Sequence, residues 1–191
     1  YIETQNTSID EYLNDYDFKQ DEEVELSDRY HEKFATVWKI TFKKLQKERP
    51  LALEWLKVCA FLHPDNIPVQ WLEQWLKEQG ITNPRKERGH LLGALSRYAL
   101  IRERDSGNQL MSLHRLLQQA VRSTINIEKP FNDATSILQS QLEVFDWNEY
   151  EKRKIGFFCF VHFDWIKNNH SGEWKSIDLS VKWNILRRVG I

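Results

Sequence analysis

The residue whose setting could carry chemistry is His114. It stands where a short strand pattern, Gln109 to Leu113, gives way to a helical one with Leu116, Leu117, Ala120, Val121 and Thr124 on one side. The first N–H groups of a helix have no partner within it and favour phosphate. An imidazole at such a start can donate a hydrogen bond to a phosphate oxygen, which would make it a sensor and not a base. The plainer alternative is a histidine satisfied locally at the helix start, and its position permits both.

The other candidates point to less. Arg85, Lys86 and Arg88 open a helical pattern and could touch DNA phosphates if that helix entered a groove. Glu87 interrupts the cluster, and the following Gly89, His90, Leu91, Leu92, Gly93, Ala94 and Leu95 offer few side chains that read base edges. Arg102, Glu103, Arg104 and Asp105 form a mixed set near a hairpin tip, where the carboxylates weaken phosphate binding. Cys59 and Cys159 sit in apolar runs with no partner at metal or redox spacing, which predicts core thiols in a reduced, cytoplasmic setting. His63 and His162 lack ligating neighbours, so no metal site is expected. The chain has no Gly-rich phosphate loop, no His-Glu-x-x-His and no Gly-x-Ser-x-Gly, and the expectation is that it is not an enzyme by itself.

These residues need elements to hold them. Thr36 opens a helical pattern with Val37, Ile40, Phe42 and Leu45. Pro50 breaks it before a second pattern, apolar nearly all round from Leu53 to Leu62, which predicts a central helix. After the turn at His63, Pro64 and Asp65, Pro68 suits a first helical position; Trp71, Leu72, Trp75 and Leu76 form one face, and Gly80 caps the end. Asn83 and Pro84 open a third helix with Leu91, Leu92, Leu95 and Tyr98 on one stripe. Leu100 to Arg104 and Gln109 to Leu113 read as a hairpin, with Gly107 and Asn108 able to supply positive φ. Three helices and a hairpin make a winged-helix arrangement. Beyond a break at Pro130 come helical patterns with Ile137, Leu138, Leu142 and Phe145, with Phe157, Phe158, Val161 and Trp165, and with Ile177, Val181, Ile185 and Val189. The fold class expected is mainly α: a winged-helix domain over residues 35–125, preceded by an acidic stretch at 1–34 and followed by a helical connector at 130–191. Trp38, Trp71, Trp75 and Trp165 fall on apolar faces and are expected in cores.

The 191 residues carry a net charge of −1, unevenly spread. Residues 1 to 34 hold eleven Asp and Glu against three Lys and Arg, and the remainder holds 17 against 24, a body too dilute in charge to favour nucleic acid. No apolar run approaches the length of a membrane span; the longest, Ile155 to Ile166, carries His162 and Asp164. The absence of an initial Met and the helical pattern still running at Ile191 suggest a piece of a longer protein.

Three stretches resemble a known family, the NB-ARC type of signal-transduction ATPases with numerous domains (STAND), in particular members followed by tetratricopeptide repeats. YIETQNTSIDEYL, Tyr1 to Leu13, looks like the end of the small helical bundle behind the nucleotide-binding core. Thr36 to Pro68, with Trp38, the Cys-Ala-Phe-Leu run and the Pro-Asp-x-Ile-Pro turn, is similar to the lead into the winged-helix domain. Leu95 to Arg122 resembles the family's hairpin ending in His-Arg-Leu-x-Gln. The resemblance implies that His114 is the counterpart of the histidine in the Met-His-Asp motif, which contacts the ADP β-phosphate and holds the inactive state. Here Leu113, His114 and Arg115 replace that motif, so the histidine carries over and the aspartate does not. Trp183 and Leu186 fit the opening of a repeat, while Arg187 stands where Gly is expected. The implied cofactor is ADP or ATP, held mainly by a domain outside this chain. The implied partners are the nucleotide-binding domain of the same parent chain and proteins that bind the C-terminal helices. The rival readings are a DNA-binding winged-helix regulator and a scaffold that uses Phe157, Phe158, Phe160 and Trp165 to bind protein partners.

Overall fold

A computed structural model describes residues 38–104, 109–144, 146 and 148–176. It is mainly helical with one small antiparallel sheet. The acidic stretch, the hairpin tip from 105 to 108, Phe145 and the pattern from Ile177 to Val189 lie outside the described residues.

Helix α1 covers residues 38–48 and buries Thr41 and Leu45. It stops where Arg49 turns to φ −149°, one residue before Pro50, because proline's ring clashes with a helical predecessor. Proline is tolerated at a helix start, and α2 runs Pro50–Cys59. Ala52, Leu53, Trp55, Leu56, Val58 and Cys59 are all buried, so α2 is the central helix that its apolar circumference predicts.

Strand β1 is only Ile67–Pro68. Pro68, expected at the first position of a helix, instead closes this strand and caps helix α3, Val69–Glu78, one position earlier. Helix α3 buries Val69, Trp71, Leu72, Trp75 and Leu76, and ends on Gly80 at φ +77°, where Ile81 N–H reaches the Leu76 carbonyl at 3.0 Å. Helix α4, Pro84–Arg97, starts at Asn83, whose side chain accepts the Lys86 N–H. Strands β2, Arg102–Arg104, and β3, Leu110–Ser112, complete a sheet of order β1-β3-β2, with Ile67 opposite Met111 and Glu103 opposite Met111 on the other side. Just past the tip, Gln109 takes a positive φ of 47°.

Helix α5, Arg115–Arg122, follows β3 directly. Helix α6 is Glu128–Glu143, and Pro130 does not break it. That residue is third in the helix, where its missing N–H had no carbonyl to meet. Helix α7, Tyr150–Asn169, buries Cys159, His162, Phe163 and Ile166 at intervals of three and four, and helix α8, Ser171–Ser176, folds back on it. The buried stripe of α7 differs from the expected one: Phe157 is 64% exposed and Phe160 39%, while Phe158, Val161 and Trp165 are half-buried. Helix α6 lies on α2, α3 and α7, so Phe131, Ala134, Ile137 and Leu138 share one core with Trp55, Trp71 and Trp75. Trp38 is half-buried at its edge.

Candidate functional site

The central strand sets His114. β3 is paired on both sides, and beyond it Leu113 N–H donates to the Pro64 carbonyl at 2.8 Å, which pins the chain one residue before the histidine. His114 has extended backbone angles, φ −71° and ψ 136°, and serves as the N-cap of α5. Its Nδ1 accepts the Leu116 N–H at 3.2 Å. A ring nitrogen that accepts carries no proton, so in the neutral imidazole the proton is on Nε2. The ring is exposed, and Nε2–H is a donor available to a molecule outside the chain. The first turn of α5 contains no acidic residue, and Arg115 adds a cation. Negative charge is therefore favoured at this end of the helix by the dipole, the cation and the imidazole donor together.

The far side of α5 is tied to the core by a residue that the sequence reading took only as part of the resemblance. Gln118 is buried, and its amide donates to the carbonyls of Cys59 at 2.9 Å and Leu62 at 2.8 Å. One turn on, the Arg122 guanidinium donates to the Ala60 carbonyl. Carbonyls at and just past a helix end lack a full set of helical partners, so α5 holds the end of α2 and the turn after it through two side chains spaced four residues apart. Burial lowers the Arg122 pKa, and Glu173 partly opposes that.

Arg115 connects the same corner to α7. Its guanidinium lies 5.3 Å from the centroid of the Trp165 ring, a cation–π arrangement. The far side of Trp165 meets His63 at 5.1 Å between centroids. The next turn of α7 places His162 fully inside, with Nδ1 accepting the His63 N–H at 3.0 Å and Nε2 facing the Asn66 carbonyl at 3.2 Å. Both bonds are satisfied only by the neutral ring with its proton on Nε2. Desolvation holds the His162 pKa down at about 3, the Asn66 bond opposing it and His63 reinforcing it. Asn66 itself stands in the left-handed region at φ +63°. His63 and His162 thus latch the loop after α2 to α7, and among the described residues no group of His, Cys, Asp or Glu could hold a metal ion.

The first turns of α4 carry Arg85, Lys86 and Arg88. Arg88 is paired with Glu73 of α3 at 2.6 Å, while Arg85 and Lys86 are exposed and Glu103 of β2 accepts from the Ser96 hydroxyl. Both cysteines are buried free thiols; desolvation pushes Cys159 up to about 12 and Cys59 well above its ordinary range. Among the described residues no helix is long and apolar enough to cross a membrane.

No curated protein and no solved structure matches the chain. Residues 41–129 match the model of a domain of unknown function (DUF7779), a stretch running from within α1, through the sheet and His114, to the second residue of α6.

Proposed function

We propose that α2 to α4 and the three strands form a winged-helix domain, and that the chain is the regulatory segment of a nucleotide-switched signalling ATPase of the NB-ARC type. In this reading it is not itself an enzyme. It docks on the nucleotide-binding domain of its own parent chain in the cytoplasm, and His114 donates to the β-phosphate of bound ADP and holds the inactive state. The observation that carries the reading is the exposed His114 at the start of α5, whose Nδ1 is occupied by the Leu116 N–H, so that the neutral ring keeps its proton on Nε2 as a donor. Arg115, which stands where the family has an aspartate, stacks on Trp165, so the corner presents a cation where a carboxylate would repel phosphate.

A charge-assisted hydrogen bond of this kind contributes about 1.5–3 kcal/mol, enough to shift an ADP-bound equilibrium by one to two orders of magnitude. The test is the nucleotide released on denaturing the full-length protein, quantified by chromatography, with and without His114→Ala. The expected result is ADP held by the parent and largely lost from the variant. Equal ADP in both, with an unchanged activation threshold, would remove His114 from the switch; no nucleotide in either would remove the ATPase assignment.

Exposed aromatic side chains on α7, Phe157 and Phe160, favour the accompanying role of binding protein partners through the C-terminal helices. The DNA-binding alternative is disfavoured by the Arg88–Glu73 pair, which neutralises one of its few cations.

A further inference from the structure

An open groove of about 510 Å³ runs between α1, the middle of α2 and the end of α5. Its floor is apolar: Phe42, Leu53, Val121 and Ile125. Its rim is cationic. Lys39, Lys43 and Lys47 stand at intervals of four along α1, all three exposed, and none of the ion pairs among the described residues reaches them. Lys57 on the opposite wall is paired with Glu54 at 2.6 Å. Among the described residues no carboxylate lines the groove, and the single acid of α1, Glu48, accepts from the Tyr98 hydroxyl at 3.0 Å.

We propose that this groove is a docking site for an acidic amphipathic helix of a partner protein. Spacing selects the shape of the occupant. Three lysines at one-turn intervals span about 12 Å along the α1 axis, and a helix lying alongside presents carboxylates at the same i, i+4, i+8 repeat. The trough is open along its length, which suits a helix burying one apolar stripe and leaving its other face in water; a small ligand would need enclosure on most sides. Charge selects the sign: three ammonium groups beside an apolar floor, with no ion pair among the described residues, disfavour a basic helix and attract one whose apolar stripe is bordered by Glu or Asp. The site lies on α1, α2 and the end of α5 and does not depend on the nucleotide reading of His114.

The test uses the full 191-residue chain and two fluorescein-labelled synthetic helical peptides. One has a leucine stripe flanked by Glu at i, i+4 and i+8; the other has Lys in place of each Glu. Fluorescence anisotropy should show binding of the acidic peptide alone, weakened about tenfold or more on raising the salt from 50 to 500 mM. It should weaken by a similar factor in the double variant Lys43→Glu, Lys47→Glu. Both lysines are exposed, and an unchanged urea midpoint would show that the variant is folded. Equal binding of the two peptides, or an acidic peptide indifferent to the double substitution, would overturn the proposal. So would binding that appears only when Asp21, Glu22, Glu23 and Glu25 are replaced by their amides, because the occupant would then be the chain's own acidic stretch. Capture of the chain by phosphatidylserine vesicles with no binding of the acidic peptide would overturn it in favour of a lipid surface.

Discussion

Acidification from pH 8 to pH 5 should destabilise this chain through two buried histidines, His162 within α7 and His170, the residue that caps the end of α7. In an unfolded chain each titrates near 6.5. In the fold, burial holds His162 at about 3, while burial and the Arg122 cation hold His170 at about 4, with Glu173 opposing. Between these values and 6.5 the unfolded chain binds protons that the folded chain does not, so stability is complete above 6.5 and is lost as the pH falls toward the folded values. Both folded values lie below 5, so each histidine costs about 2 kcal/mol at pH 5, and together about 4 kcal/mol, a large part of a typical domain's 5–15 kcal/mol. Urea unfolding followed by fluorescence of the buried tryptophans, extrapolated to water at each pH, measures this directly. His162→Phe isolates one of the two. It leaves the His63 N–H without its acceptor, costing about 1–3 kcal/mol at pH 8, and it should halve the loss between pH 8 and pH 5. A wild-type loss below about 1 kcal/mol, or a variant as pH-sensitive as the wild type, would refute the assignment of His162 as a neutral latch between the loop and α7.

The other predictions concern the core that holds the candidate site. Gln118→Ala takes the amide donor from the Leu62 carbonyl and leaves the Cys59 carbonyl only the Leu62 N–H, and should cost about 1–3 kcal/mol in the same urea assay, whereas a change below about 0.5 kcal/mol would mean that water replaces the amide without penalty. Cys59 and Cys159, buried with raised pKa values, should resist an aromatic disulfide reagent in the native chain and both react in urea; rapid native labelling of either would contradict its burial.

Much of the framework is legible locally because its signals are local. Asn83 before Pro84, Gly80 after Leu76 and the Trp71 to Leu76 face each fix an element through its own backbone or periodicity, and each is where the sequence places it. Strand β1 is not legible: two residues cannot show a period, and Ile67 is a strand only because Met111, 44 positions on, pairs with it. Pro130 misleads because proline is tolerated in the first turn as well as at a break. In α7, apolar residues occur on nearly every face, so periodicity cannot choose among them, and packing against α6 selects the Cys159, His162, Phe163 and Ile166 side and leaves Phe157 outside. His114 is visible as a strand-to-helix junction, whereas the use of its Nδ1 by the Leu116 N–H depends on the ring's rotamer, which no local pattern fixes. Gln118 is a polar residue within an apolar stripe, and its partners lie 56 and 59 positions away.

The way α5 is held decides what a contact at His114 can do. A helix attached by apolar packing alone can slide or tilt to relieve a strained hydrogen bond at its end. Here Gln118 and Arg122 grip carbonyls at the end of α2 and just beyond it, and Leu113 is bonded to Pro64, so α5 cannot shift along its axis without breaking bonds to the central helix. Arg115 on Trp165 and His162 on the His63 loop extend the same constraint to α7. Hydrogen-bonded and packed groups thus run without a break from the His114 corner to α2 and α7. In the proposed switch, one bond to a phosphate, worth about 1.5–3 kcal/mol, would bias the docking of the whole unit, because no part of it gives way first. The same rigidity makes Gln118 a sharper test than His114 alone. If Gln118→Ala loosens ADP retention while His114 stays in place, transmission runs through the α5–α2 clamp; if retention is unchanged, the phosphate contact acts locally and the clamp serves only stability.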